Sequence, residues 1–171
     1  DGAADKLDLA ANVTADIKGA AVSGHKVIDM AAGSKLTMLS SQLDGVAITG
    51  IDGSEEIVVV DTGATDVNYS TGNTDIEFIL TADNAADNME TGGEVDTFKI
   101  AAALTAAGGL DLNAGGGNDI LDINTTGAVD LSAGALTSFH TLELDATGTN
   151  TDLTITADQF NAFNTITAAN T

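Results

Sequence analysis

The sequence of 171 residues predicts an all-β chain wound as a parallel β-solenoid, with short helical turns at its corners. Three observations carry that expectation. Short alternating apolar/polar runs recur along the whole chain, the chain repeats itself on two length scales, and its apolar residues are mostly small aliphatics. Strands of four to six residues are shorter than those of most sandwiches, so a pair of Ig-like β-sandwich domains is the second choice.

In chain order the runs are KLDL, ADIKG, VIDM, KLTML, EIVVVD, DVNYS, IEFIL, TFKI, GLDLN, ILDI, AVDLS, TLELD and DLTIT. Their centres lie about 8–13 residues apart and are separated by Gly, Asn, Asp, Ser and Thr, the pattern of an all-β architecture. Three segments break the alternation. TADQFNAF places Thr156 three residues before Gln159, a capping box, with Phe160 and Phe163 on one helical face. SAGALTSF spaces Leu136 and Phe139 in the same way, and IAAALTAAGG ends in the two glycines expected past a helix. These read as single helical turns that plug the core with the few large side chains available. LTADNAADNMETGG reads as a longer connection.

The repetition is more informative than any single run. GGEVDTFKI (Gly92 to Ile100) and GGGNDILDI (Gly115 to Ile123) align without gaps at an offset of 23 residues, and a degenerate copy, DGAADKLDL, opens the chain. On the larger scale, ADIKGAAVSGHKVIDMAAG from Ala15 matches VDLSAGALTSFHTLELDAT from Val129 at an offset of 114. Asp16 pairs with Asp130, Ile17 with Leu131, Ile28 with Leu142 and Met30 with Leu144. After a three-residue insertion KLTMLSSQLDGV matches DLTITADQFNAF. Residues 1–171 are thus expected to form one continuous solenoid segment, about one and a half copies of a 114–117-residue unit excised from a longer array. A 23-residue repeat holding two short strands fits one coil.

Composition removes several function classes. Five Lys, no Arg and 26 acidic residues give a formal charge of −21, which repels nucleic-acid phosphates and anionic lipid and attracts cations. No run approaches the roughly 18 apolar residues of a membrane span, so membrane insertion is not expected. The absence of Cys removes disulfides, thiolate chemistry and Cys-ligated zinc. No enzyme is expected: the chain has no Arg, one Tyr and no G-x-S-x-G elbow, and His25 and His140 fall on neighbouring rather than equivalent repeat positions. Glu55 and Glu56 read as a solvated corner. Threonines such as those of LTIT raise an ice-binding alternative, but they do not recur at one position of every coil.

AGGGNDILD matches the nonapeptide G-G-x-G-x-D-x-U-x at all but its first position, where Ala114 replaces Gly. Here the chain resembles the RTX-type repeats of type I-secreted bacterial adhesins, S-layer proteins, toxins and hydrolases. The resemblance implies a turn that holds calcium through backbone carbonyls and an aspartate, followed by a short strand. Carried over by residue, the metal positions are Gly115, Gly117 and Asp119, with Gly92 and Asp96 in the weaker copy, where Glu94 replaces a glycine. The motif appears once cleanly and never in tandem, so isolated sites are expected rather than rows.

Independently of the resemblance, one coil per 23 residues puts Asp96 and Asp119 on adjacent rungs about 5 Å apart. Two bare carboxylates there repel by about 1 kcal/mol in water and about 3 kcal/mol at an effective dielectric of 20. A calcium ion would turn that repulsion into a clamp; the competing reading has each carboxylate capping backbone N–H groups at a corner. The resulting expectation is a secreted, self-associating structural segment of a bacterial cell-surface protein, polymerising through repeat stacking. Its alternative is a carbohydrate- or host-surface-binding module using loops such as DGSEE, although Tyr69 is the sole Tyr and Trp is absent.

Overall fold

The fold was obtained as a computed structural model and describes residues 5–21, 25–43, 46–49, 55–61, 67–68, 75–80, 88–104, 109–144 and 152–168. The first stretch carries β1 (Asp5–Leu9), β2 (Thr14–Asp16), β3 (His25–Met30), β4 (Lys35–Leu39), α1 (Ser40–Leu43) and β5 (Ala47–Thr49). The middle holds β6 (Glu56–Asp61), β7 (Val67–Asn68), β8 (Asp75–Leu80), β9 (Asn88–Glu90), β10 (Thr97–Ile100) and β11 (Asp111–Asn113). The last stretch holds β12 (Ile120–Ile123), β13 (Val129–Asp130), β14 (Leu136–Thr137), β15 (Thr141–Leu144), β16 (Leu153–Thr154), α2 (Ala157–Asn161) and β17 (Thr165–Ala168).

These strands wind into a parallel β-solenoid. One side is an eight-stranded sheet in the order β17-β15-β12-β10-β8-β6-β4-β2. A three-stranded sheet, β1-β3-β5, and a four-stranded sheet, β14-β11-β9-β7, supply the strands that precede β2 to β15 of the large sheet, so they share a second side. The pair β13-β16, with a bridge from Leu104 to Val129, makes a third. Neighbouring strands are parallel in every pair, as successive coils of one winding require.

Period-two alternation fills the interior. Along the large sheet Met38, Val59, Phe78, Phe98, Leu121 and Leu142 stand side by side, all buried. The scarce aromatics are concentrated here: Phe78 stacks on Phe98 at 5.2 Å, Phe98 meets Phe139 edge-on at 5.4 Å, and Phe139 reaches Phe163 at 6.2 Å. Outward positions carry charge, as where Lys99 lies 3.8 Å from Glu77 and 3.7 Å from Asp122 on the flanking strands.

Some local expectations give way to pairing. SAGALTSF is no helical turn: Leu136 and Thr137 pair with Leu112 and Asn113, and Ser138 takes a positive φ of 66°. The ladder to β11 outweighs a helical spacing of only two large residues. Leu104 likewise bridges to Val129 instead of sitting in a helix, while 105–108 lie outside the described residues. LTADNAADNMETGG contains strand β9. Glu55 is 2 % exposed rather than solvated, and Glu56 is paired with Lys35. TADQFNAF does form the capped turn, α2, but Phe163 enters the core while Phe160 stays 50 % exposed.

The 114-residue correspondence reappears as identical hydrogen bonding. Gln42 donates to the carbonyls of Ile17 and Ala20 and accepts from Leu39 N; Gln159 donates to those of Leu131 and Gly134 and accepts from Thr156 N. Asp16 caps Lys18 N as Asp130 caps Ser132 N. The two copies nevertheless occupy different sides. β2 and β4 belong to the eight-stranded side, whereas their counterparts β13 and β16 form the third; β1 and β3 match β12 and β15, which lie in the eight-stranded sheet. Five coils, from Met38 to Leu142, take 104 residues, so an offset of 114 overshoots them by about the length from one side to the next.

Candidate cation site at a buried aspartate ladder

The two glycine-rich turns lie one above the other because the strands after them pair in register. Thr97 sits beside Ile120, Phe98 beside Leu121, Lys99 beside Asp122 and Ile100 beside Ile123. This brings all five expected residues, Gly92, Asp96, Gly115, Gly117 and Asp119, into one locality. At their glycines the turns touch backbone to backbone: Gly116 N donates to Gly92 O at 2.8 Å. A Cβ on Gly115 would stand 2.0 Å from Gly92 O, and one on Gly117 would stand 2.0 Å from Glu94 O. Both residues have positive φ, 73° and 139°. The glycines are needed for close stacking of one turn on the next.

The aspartates form a ladder up the coils. Asp96 Oδ1 accepts from Ile76 N at 2.8 Å, and Asp119 Oδ1 accepts from Asp96 N at 2.7 Å. Both residues are fully buried. They take up a row that lower coils fill with Leu36, Ile57 and Ile76, all buried. Backbone capping by the carboxylates therefore holds, and it runs between coils rather than within one corner. Asp119 Oδ2 is buried with no hydrogen-bond partner among the described residues. Burial pushes the Asp119 carboxyl above the ordinary aspartate range, against the opposing pull of the Asp96 and Asp119 N–H groups and of His140.

Two further residues extend the ladder. His140 N and Thr141 N both donate to Asp119 O, at 2.9 and 3.0 Å, and Asn164 Nδ2 lies 2.9 Å from His140 Nδ1. Aligning TLEL with ILDI places His140 on Asp119, a signal present in the sequence but obscured by the 114-residue alignment, which pairs His140 with Lys26. The degenerate copy at Asp5 enters the three-stranded sheet instead, and the Asp5 and His25 side chains lie outside the described ones, as does Tyr69.

As a donor set the ladder combines the carboxylate oxygens of Asp96 and Asp119, the kind a hard cation takes, with the His140 imidazole. In number it is sparse: no group of three or more His, Asp or Glu among the described residues is arranged to hold a metal ion, and Gly92 O is already engaged by Gly116 N. No helix among the described residues is long and apolar enough to cross a membrane. No family model matches this chain, and neither a curated protein nor a solved structure matches it.

Proposed function

We propose that the chain is a structural segment of a secreted, self-associating bacterial cell-surface protein, of the S-layer, extracellular-filament or adhesin-stalk kind. The observation that carries this reading is the unbroken eight-stranded parallel sheet with its continuous inner row from Met38 to Leu142. In such a stack each coil contacts only its neighbours, so length grows by adding coils. A chain of this kind does mechanical work by being long and stiff, and a charge of −21 keeps its flanks solvated. Antibodies against the purified chain should label intact cells of its source. Label that appears only after permeabilisation overturns the reading.

Calcium between Asp96 and Asp119 is a second element of the proposal, favoured by the buried, unpartnered Asp119 Oδ2. A divalent ion there would offset the burial of two carboxylates and tie two coils together. Thermal unfolding followed by circular dichroism should shift upward in calcium relative to EGTA. Superimposable curves remove the ion and leave the rod.

A further inference from the structure

We propose that the outer face of the eight-stranded sheet, from β4 to β10, binds the same face of a second copy of this chain, so that two solenoids pair side by side. The inference rests on the self-associating reading above and names the surface that carries it. This face lies within the stack: β4, β6, β8 and β10 each have a strand on both sides.

The centre of the face is aliphatic without a structural need. Period-two alternation turns Leu39, Val60 and Ile79 outward beside one another on three neighbouring strands, with Val58 next to them. All four are half-buried, and none belongs to the core or to the side chains packed against it. The same outward row continues as Lys99, Asp122, Glu143 and Thr167 on the next four strands. Winding therefore accepts polar residues at this position, and three successive aliphatics there serve a contact rather than the coil.

Charge identifies the occupant. Over the whole chain 26 acidic residues oppose five lysines. Around the belt the described side chains balance instead, since Lys35 pairs with Glu56 and Lys99 lies 3.8 Å from Glu77. Two copies of a strongly acidic chain can meet here without setting acid against acid. Beside the belt a hollow of about 320 Å³ opens between Glu56, Glu77, Val95 and Thr97, and Val95, 44 % exposed, gives it an apolar wall. An apolar wall with carboxylates at its rim suits a lysine, whose stem is apolar and whose tip is cationic. Lys35, with 55 % of its side chain accessible, stands at the height of Val95 along the strands. A two-fold axis running along the strands between β6 and β8 lays β4 of one copy over β10 of the other. It sets Val60 against the other copy's Ile79 and aims each Lys35 at the other copy's hollow. Such a contact is isologous and closes as a dimer.

Sedimentation equilibrium of the 171-residue chain in EGTA tests this, at about 0.15 M sodium chloride, where charges more than about 8 Å apart are largely screened. The face is only four strands wide, so the dimer should be reversible and grow with protein concentration. Val60→Glu should leave the chain monomeric with an unchanged circular dichroism spectrum. Lys35→Glu, at an exposed position that spares the fold, should weaken the dimer at least about tenfold, the cost of losing a charge pair and adding a repulsion. Thr165→Glu, exposed on β17 at the far end of the same face, should dimerise like the parent. Association indifferent to both Val60→Glu and Lys35→Glu overturns this face as the contact and leaves self-association standing. A parent chain that stays monomeric at every concentration overturns both.

Discussion

Gln42 and Gln159 make the same set of hydrogen bonds at two different sides of the solenoid. Each clamps two carbonyls of the coil below through its amide nitrogen and caps the start of a helical turn through its amide oxygen. The unit that contains them therefore behaves as a local package of strand, turn and clamp, indifferent to which side of the coil it occupies. What it requires is a coil beneath it whose turn presents two carbonyls, the first of which also accepts the N–H of the turn itself, Ala20 N to Ile17 O and Gly134 N to Leu131 O.

That clamp should be measurable. Gln159 is 9 % exposed, and Gln159→Ala strands the Gly134 carbonyl and the Thr156 N–H while Leu131 O keeps Gly134 N, so it should cost about 2 kcal/mol in denaturant unfolding. Gln42 is less buried, and Gln42→Ala should cost about 1 kcal/mol. Equal, negligible losses at both would show that water replaces the clamp without penalty.

The glycine turn offers a sharp internal contrast. Gly115→Ala must fit a Cβ 2.0 Å from Gly92 O at a φ of 73°, and should lose about 3 kcal/mol. Gly116→Ala, whose Cβ would meet nothing closer than Gly93 Cα at 3.9 Å, should change stability by less than about 0.5 kcal/mol. Equal midpoints in urea for the two variants would contradict the stacked-turn geometry.

Asp119 predicts an inverted pH dependence. Burial raises its native carboxyl above the ordinary value, so the folded chain binds that proton more tightly than the unfolded one. Its ionisation subtracts stability above the ordinary aspartate range, and the subtraction fades as pH falls through the native value. In EGTA, Asp119→Asn should therefore be more stable than the parent at neutral pH, with the gap narrowing in mild acid. Calcium should narrow the neutral gap from the other direction, by stabilising the parent alone. A variant less stable than the parent in EGTA at neutral pH would show that the charge on Asp119 is satisfied without metal.

Phe98 links the aromatic run, stacking on Phe78 and meeting Phe139 edge-on. Phe98→Ala should cost about 3–5 kcal/mol by thermal or denaturant unfolding. Phe98→Leu keeps the burial but loses both ring contacts, and should cost about 1–2 kcal/mol. A loss below about 1 kcal/mol for Phe98→Ala would place the cooperative core elsewhere.

Much of this fold was legible one run at a time. Thirteen alternating runs each contain or overlap a strand, because period-two burial is written directly in residue order. The runs that escaped notice, β5, β9, β14 and β17, have two to four residues and owe their extended shape to the neighbour they pair with. The same limit applies at the candidate site. GGEVD and GGGND announced the adjacency of Asp96 and Asp119, since equal spacing to the following strand fixes equal height in the coil. His140 and Asn164 carry no motif and joined the ladder only through register.

By itself, residue order determined the solenoid winding, the coil length near each repeat, the capped turn at Thr156 and the meeting of the two aspartates. Each depends on spacing within about one coil, where chain connectivity leaves little freedom. Tertiary structure alone decided which side each copy of the large unit occupies, that both aspartates are sealed from water, and that the glycines serve close backbone stacking. Those outcomes depend on residues accumulated over several coils and on the solvent exclusion that neighbouring coils impose, quantities that no local pattern encodes.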